Sequence, residues 1–317
     1  MTFHQNLFGV FAAAVTPLHS DYSLALDELP PFLDFLARRG CHGALLFGTT
    51  GEGPSFSLSE RRELLQVAIE IRQVKPDFRL LAGTGTPSLD ETIEITQTAF
   101  ELDFDGVIVL PPYYYKNITD DGLFDWYARV IQSSVPAGGA FLAYHIPHVT
   151  GIPLSLELLA RLKDAFPDRF AGEKDTSADP EYARKLGERF GKDLLVFSGT
   201  DSLLSIALDS FACGCITAMA NLRSADARLI WDAYERDARK QGSFRRSQKI
   251  LDAQTRLDKA RAIMDRYPPN PALYKALVAR LHRFPRWMVR PPLLPMPDDK
   301  LEKALSEAIA EVEDFDL

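Results

Sequence analysis

Short apolar runs recur along the chain, and a stretch with apolar residues at helical spacing follows each of them. The runs are apolar on both faces and rich in Val, Leu, Ile, Phe or Ala, which is typical of parallel strands buried on both sides. Eight such strand–helix units, spaced about 25–35 residues apart, predict an α/β fold in the form of a closed (β/α)8 TIM barrel. The predicted strands are residues 10–17, 43–49, 79–83, 106–110, 140–144, 170–174, 194–198 and 214–218.

Polar residues that can cap a helix stand at the start of several of the intervening stretches. Ser57 with Glu60 forms a capping-box signature, and Ser88 with Glu91 repeats it before the next predicted helix. Thr119 precedes a further helical stretch. These signals predict helices after the second, third and fourth strands, as a barrel of this kind requires.

The last part of the chain has helical patterns without further strands. Prolines within residues 268–271 and 290–292 are expected to break it into separate helices. We therefore predict a barrel with the active site over residues 1–223 and a C-terminal helical region over residues 224–317, packed on the barrel as an extension. A doubly wound open sheet is the alternative, but eight consecutive units without a cofactor fingerprint favour closure.

Composition restricts the function classes. The 317 residues are 46% apolar and 25% charged, which is ordinary for a soluble globular enzyme. The formal net charge of −8 argues against nucleic acid or an anionic membrane as partner, since both demand a basic face. Three cysteines without framework spacing, and no visible signal peptide, indicate a cytoplasmic protein. No run approaches the roughly 20 apolar residues that span a bilayer.

Candidate chemistry gathers at the predicted strand ends, where the active sites of such barrels lie. Residues 48–53 form a turn rich in glycine and threonine, which can bind a carboxylate through backbone N–H groups and hydroxyls, or serve only as a tight turn. Residues 83–86 form a similar turn without a P-loop lysine. The consecutive tyrosines at 113–115 predict that at least one faces a polar site or a subunit interface.

A tyrosine and a lysine end the fifth and sixth predicted strands. Tyr144 could move protons through its hydroxyl, whereas the adjacent His145 should point to the opposite face of the strand. Lys174 could be an exposed surface lysine. At the end of a buried strand, however, desolvation favours the neutral amine, which is a nucleophile toward carbonyl groups.

Five short motifs follow one another at these strand ends: GTTGE at 48–52, PYY at 112–114, YxIPxxTG at 144–151, KDT at 174–176 and SGxD at 198–201. Together they resemble the dihydrodipicolinate synthase / N-acetylneuraminate lyase family, from about residue 8 to residue 221 and weakly on to 271. The resemblance implies a (β/α)8 barrel with C-terminal helices and a lysine Schiff base with pyruvate or another 2-keto acid. It also implies a homotetramer that uses no metal and no organic cofactor.

The resemblance assigns roles by position. Lys174 would form the Schiff base, Tyr144 would move protons, Thr49 would orient Tyr144, and Tyr114 would close the proton relay within this chain or from a neighbouring subunit. The residues expected to bind or enclose the small-molecule substrate are Gly48, Thr50, Val149, Thr176 and Ile216.

The sequence departs from the family pattern at three places. Synthases of dihydrodipicolinate have an arginine where Val149 stands, and valine cannot make its bidentate pair with a carboxylate. Neuraminate lyases usually have serine at the position of Thr49. Glu173 stands where the family commonly has an aliphatic residue, and on a strand it should face the surrounding helices, where its carboxylate needs a partner.

The leading hypothesis is a Schiff-base lyase or aldolase that acts on pyruvate or a 2-keto-3-deoxy sugar acid. The alternatives are a 2-keto-3-deoxy acid dehydratase, a 4-hydroxy-tetrahydrodipicolinate synthase that joins pyruvate to aspartate semialdehyde, and a catalytically silent ligand-binding barrel. A metal-dependent lyase is disfavoured because the sequence shows no evident cluster of His, Asp and Glu at the strand ends.

Overall fold

The computed structural model describes residues 7–241 and 247–315. Eight parallel strands follow one another around a closed barrel, and the last pairs with the first. This confirms the predicted (β/α)8 architecture. The strands are β1 (Gly9–Ala13), β2 (Gly43–Leu46), β3 (Arg79–Gly83), β4 (Gly106–Val109), β5 (Phe141–His145), β6 (Phe170–Asp175), β7 (Leu195–Ser198) and β8 (Gly214–Thr217).

Helices alternate with the strands and then continue beyond the barrel. Those between strands are α1 (Leu29–Arg38), α2 (Leu58–Ala68), α3 (Leu89–Glu101), α4 (Asp120–Ser134), α5 (Pro147–Thr150), α6 (Leu156–Ala165), α7 (Pro180–Phe190) and α8 (Leu204–Asp209). The helices after β8 are α9 (Ala220–Gln241), α10 (Gln248–Met264), α11 (Asn270–His282) and α12 (Asp298–Glu311).

The structure confirms the three predicted helix N-caps. Ser57 and Glu60 complete a capping box at the start of α2. Ser88 accepts from the backbone N–H of Glu91 at α3, and Thr119 caps α4 through the N–H of Gly122.

Two of the predicted strands extend too far. The first ends at Ala13 and not at residue 17, because the chain beyond it turns to partners outside the ladder: the N–H of Val15 donates to the side chain of Asn221, and the Thr16 hydroxyl donates to the carbonyl of Gly51. The second ends at Leu46, since Phe47 adopts a positive φ of 55° that breaks the extended backbone.

Apolar side chains fill two separate regions. One large cluster lies between the strands and the surrounding helices and continues into the C-terminal helices. A smaller one occupies the barrel interior, where Phe11 and Phe197 meet edge to face with ring centroids 5.6 Å apart. The interior cluster also includes Leu45, Leu81, Ile108, Leu142 and Ile216. Because side chains pack the interior, chemistry is confined to the open end of the barrel.

A one-residue bulge interrupts the pairing of β5 with β6. Phe141 pairs with Phe170, but the next residue of β5, Leu142, pairs with Gly172, so that Ala171 is the extra residue on β6. Gly172 has a φ of 155°, and a Cβ at this position would come within 1.9 Å of the Leu195 carbonyl oxygen. Only glycine fits this point of the strand.

The bulge reverses which side chains of β6 face inward. Ala171 belongs to the interior cluster, so strict alternation would also turn Glu173 inward and Lys174 outward. Beyond the bulge Lys174 instead pairs with Tyr144 and points inward, while Glu173 faces α7. The extra residue therefore places Lys174 on the inner face of the barrel, beside Tyr144.

The C-terminal helices are tied to the barrel through α9, whose backbone is non-helical at Arg223. Next to this break, Asp226 accepts from Arg223 and Arg256, which joins α9 to α10. The division predicted between residues 223 and 224 lies beside this break and stays a prediction. Among the described residues, no helix is long and apolar enough to cross a membrane.

We predict that Gly172→Ala destabilises the protein by roughly 2–5 kcal/mol, because it adds both backbone strain and a clash with strand β7. The measurement is the urea midpoint followed by circular dichroism. Gly138→Ala is the matched control: Gly138 also has a positive φ, of 78°, but a Cβ there meets nothing within 4 Å. It should cost only about 1 kcal/mol, and equal losses in the two variants would contradict the role of the bulge.

Candidate active site

Lys174 and Tyr144 meet at the open end of the barrel. The Lys174 ammonium nitrogen Nζ donates to the Tyr144 hydroxyl at 3.1 Å and lies 4.2 Å from the centre of its ring. Both residues are buried, with 2% and 4% of their surfaces exposed. Thr49, from the loop after β2, shares a 3.5 Å hydrogen bond with the same hydroxyl. Two sequence-predicted residues, Thr49 and Lys174, thus meet at the hydroxyl of a third, Tyr144, and the three come from three different strand ends.

The environment of Tyr144 changes the acidity of its phenol. Burial acts to raise its pKa, but the nearby Lys174 charge and the hydrogen bonds with Thr49 and Lys174 outweigh burial and lower the pKa below that of an ordinary tyrosine. A phenol that loses its proton more easily is better suited to relay protons near neutral pH.

The glycine-rich turn after β2 has a defined shape. The N–H groups of Glu52 and Gly53 donate back to the carbonyls of Thr49 and Gly48, at 3.2 and 3.1 Å. Glu52 has a left-handed backbone with φ of 55°, and Gly53 passes so close to Phe47 that a Cβ would lie 2.1 Å from its carbonyl oxygen. The turn holds Thr49 exposed at the barrel mouth and Thr50 buried beneath it.

A buried ion pair fastens this turn to the C-terminal helices. The Glu52 carboxylate accepts from the Lys275 ammonium and, at 2.8 Å, from the backbone N–H of Arg290. Lys275 also donates to the Met288 carbonyl at 2.6 Å. Burial lowers the pKa of Lys275 to about 8, while Glu52 opposes that shift. Sequence analysis missed this pair, because its members lie 223 positions apart and no local pattern connects them.

A small pocket opens beside Tyr144. Gly83 and Gly85 line it, so the loop after β3, expected to be a turn near the site, does reach the site. A Cβ on Gly85 would lie 2.4 Å from the backbone nitrogen of Leu110. The pocket is also lined by Leu45, Phe47, Gly48, Thr49, Pro54, Ile108 and Leu110. Ile216 is fully buried in the barrel interior, within the same cluster as Tyr144.

The remaining predicted residues lie around the mouth. Thr176 follows β6 and donates its N–H to the His145 carbonyl at 2.7 Å. Val149 lies in α5 and is 55% exposed. Tyr114 is 74% exposed and packs edge to face against Tyr115. Within the described part of the chain Tyr114 makes no hydrogen bond or ring contact with Tyr144, so its part in a proton relay stays a prediction that a neighbouring subunit would have to satisfy.

The expectation that His, Asp and Glu form no cluster at the strand ends was wrong. One ring nitrogen of His145 and one carboxylate oxygen each of Glu173 and Asp175 lie within 4.8 Å of one another, on the outer face of β5 and β6. They come together because β5 and β6 are neighbours and because the bulge turns Glu173 toward the helices. His145 points away from the barrel interior, as expected from its place beside Tyr144, and its ring packs against Tyr182 with centroids 4.4 Å apart.

Residues 6–311 match the dihydrodipicolinate synthetase family. The chain belongs to this family. It is 33% identical over 294 residues to an uncharacterized DapA-like lyase of Chloroflexus aurantiacus, which covers 92% of this chain and 93% of that one. It is also 33% identical over 224 residues to the 4-hydroxy-tetrahydrodipicolinate synthase of Thermus thermophilus, with 70% and 73% covered. The chain is therefore a DapA-like lyase of the dihydrodipicolinate synthetase family.

The fold recurs in solved structures. A prophage protein of the dihydrodipicolinic acid synthase family from E. coli K12, crystallised in complex with pyruvate, superposes with a TM-score of 0.85. The alignment covers 95% of this chain and 97% of that one at 22% identity, and it supports the barrel with its C-terminal helices. Membership in the family agrees with the resemblance seen in the five motifs.

Lys275→Met should destabilise the protein by roughly 3–5 kcal/mol, because it leaves the Glu52 carboxylate buried without its cation. Urea denaturation measures the loss, and the double variant Glu52→Gln/Lys275→Met should recover a large part of it. Lys185→Met serves as control, since it breaks an exposed pair with Glu181 in which both side chains are more than half exposed. A Lys275→Met midpoint equal to that of the control would contradict the buried tie.

Proposed function

We propose that the chain is a Schiff-base lyase or aldolase that forms an imine between Lys174 and pyruvate or a 2-keto-3-deoxy sugar acid. The observation that carries this proposal is the buried contact between the Lys174 amine and the Tyr144 hydroxyl at the barrel mouth. A primary amine beside a phenol of lowered pKa provides a nucleophile and a proton relay within one hydrogen bond.

The first step joins amine and ketone. The neutral Nζ of Lys174 attacks the ketone carbon, and Tyr144 passes the proton from nitrogen to the developing alkoxide. The resulting carbinolamine then loses its hydroxyl as water, after Tyr144 donates a proton to it, and a protonated imine remains. Thr49 would orient the Tyr144 hydroxyl throughout, as its 3.5 Å contact suggests.

The second step uses the imine as an electron sink. Cleavage of the bond between C3 and C4 sends its electron pair toward the iminium nitrogen, which gives an enamine and releases an aldehyde whose hydroxyl proton goes to Tyr144. Protonation at C3 and hydrolysis then free pyruvate and Lys174. The substrate carboxylate would bind the hydroxyls and N–H groups of Thr49 and Thr50 in the turn that Glu52 fastens.

Residues in the loops after β4 and β5 support a preference for the second substrate or product. Val149 of α5 is exposed and offers no paired donors for a carboxylate. The Lys116 ammonium donates to the carbonyls of Tyr113 and Thr150, next to Val149 in the chain. A single ammonium and an apolar side chain suit a hydroxylated aldehyde better than a carboxylate that needs a bidentate clamp.

Two alternatives share the same lysine. The Thermus thermophilus relative supports 4-hydroxy-tetrahydrodipicolinate synthase activity, while Val149 counts against it. A 2-keto-3-deoxy acid dehydratase would form the same imine and expel water. A silent barrel is disfavoured because Lys174, Tyr144 and Thr49 remain in contact. A cytoplasmic location and a homotetramer, with Tyr114 at a subunit boundary, complete the proposal.

Borohydride reduction in the presence of pyruvate should attach one reduced pyruvate to Lys174, because hydride adds to the imine carbon. Mass spectrometry of the peptides measures the adduct. Lys275 is the internal control: it is as buried as Lys174 but is paired with Glu52 away from the pocket, so it should stay unmodified. The absence of a mass increase at saturating pyruvate would contradict the Schiff-base proposal.

Pyruvate release from a panel of 2-keto-3-deoxy sugar acids should identify the substrate. Aspartate semialdehyde with pyruvate is assayed in parallel for synthase activity, and loss of water from the same sugar acids is monitored for dehydratase activity. We expect little turnover of aspartate semialdehyde by the natural chain. Val149→Arg should raise its kcat/KM about tenfold or more by supplying a charged hydrogen bond to its carboxylate, whereas Val149→Leu should not. Rapid turnover by the natural chain would overturn the role given to Val149.

A further inference from the structure

Glu173 has no part in the proposed chemistry, yet its carboxyl group is buried directly behind the reactive lysine. The side chain is 1% exposed and lies on the outer face of β6, between the barrel and α7. Ala171 and Lys174, on either side of it in β6, face the barrel interior, where Ala171 packs in the interior cluster and Lys174 contacts Tyr144. A buried carboxyl group at such a place needs a physical account.

The hydrogen bonds of Tyr182 constrain the protonation of Glu173. The Tyr182 hydroxyl oxygen lies 3.1 Å from the Leu154 carbonyl oxygen and 3.1 Å from Glu173 Oε1. A hydroxyl group has one hydrogen to donate, and a carbonyl oxygen can only accept. If Tyr182 donates to Leu154, both contacts are satisfied only when Glu173 carries a proton and donates it to Tyr182.

The neighbouring His145 imidazole is hydrogen-bonded to Asp175 and not to Glu173. His145 Nδ1 lies 3.1 Å from Asp175 Oδ1 and 3.9 Å from Glu173 Oε1. Asp175 also accepts from the Ser177 N–H at 2.9 Å, so Nδ1–H is the natural donor to Asp175. Nε2 of His145 is buried without a hydrogen-bond partner. At 3.9 Å from Nδ1, the Glu173 oxygen lies beyond hydrogen-bonding distance of the ring.

The groups around Glu173 therefore disfavour its charge. They are His145 of β5, Asp175 of β6, Tyr182 of α7 and Tyr127 of α4. Within residues 7–241 and 247–315, no lysine or arginine forms an ion pair with Glu173. Burial raises the pKa of Glu173 well above its usual range and repulsion from Asp175 adds to this, whereas a hydrogen bond donated by Tyr182 to the carboxylate would oppose the shift.

We propose that Glu173 is a positioning residue that stays protonated, donates a hydrogen bond to Tyr182 and, together with the His145–Asp175 pair, holds the outer face of β6 so that Lys174 stays beside Tyr144. The geometry explains how: Glu173 and Asp175 flank Lys174 on the strand and face away from it. Their partners fix the strand to α7 and β5. This inference rests on the proposed Schiff-base function only for its effect on turnover.

The first test compares Glu173→Gln with Glu173→Leu. Glutamine keeps one donor and one acceptor, so kcat for pyruvate formation and its pH profile should stay within about twofold of the natural chain. Leucine keeps the volume but loses the donor, so kcat should fall about 10- to 100-fold with little change in KM, as expected for a displaced lysine. A shifted pH profile in Glu173→Gln, or unchanged kcat in Glu173→Leu, would overturn the proposal.

The second test detects the proton on Glu173 directly and does not depend on enzyme turnover. Infrared difference spectra at neutral pH should show the carbonyl stretch of a buried protonated carboxylic acid, shifted in D2O and lost in Glu173→Gln. The free energy of unfolding of the natural chain should also fall relative to Glu173→Gln as pH rises above the ordinary value of a glutamate, because the folded state holds a proton that the unfolded state releases.

The two tests separate the failure modes. Absence of the infrared band would overturn the protonated state even if Lys174 forms its pyruvate adduct. Absence of the adduct would remove the proposed function but leave the infrared result standing. One equivalent of zinc in the purified chain, lost in Glu173→Gln, would also overturn the proposal, since the cluster would then hold a metal and Glu173 would be ionised.

Discussion

The one-residue bulge between β5 and β6 is the constraint on which the candidate site depends. Strand residues alternate between two faces, so a shift by one position decides whether Lys174 or Glu173 faces the barrel interior. Gly172 makes the shift possible because its backbone passes within contact distance of β7. The same backbone feature places a lysine beside Tyr144 on one side and a carboxyl group among the helices on the other.

Two buried polar contacts join elements that a local sequence pattern does not connect. The Glu52 carboxylate pairs with Lys275 of the C-terminal helices. This contact fixes the turn that is expected to bind a substrate carboxylate. Tyr182 of α7 contacts Glu173 on the outer face of β6, next to Lys174 in the chain. Since an unpartnered polar group is costly in the interior, each pair also fixes the relative position of its two elements. The turn after β2 therefore depends on a contact with the C-terminal helices for its position.

The local patterns that predicted the fold are those that depend only on neighbours along the chain. Strands buried on both faces and capped helices are encoded within short windows, which is why all eight strands and the caps at Ser57, Ser88 and Thr119 could be predicted. The ends of β1 and β2 were misplaced, because tertiary contacts to Asn221 and a positive φ at Phe47 end the ladder.

Patterns in the sequence were enough to predict the alternation of strands and helices, the family, and the residues Lys174, Tyr144 and Thr49 that converge at the barrel mouth. They were enough because order along the chain sets order around a parallel barrel. The pairing of Glu52 with Lys275 and the buried cluster of His145, Glu173 and Asp175 became visible in the folded chain alone. Those contacts depend on a strand register and on helix packing that join distant positions, and no local pattern in the sequence carries that information.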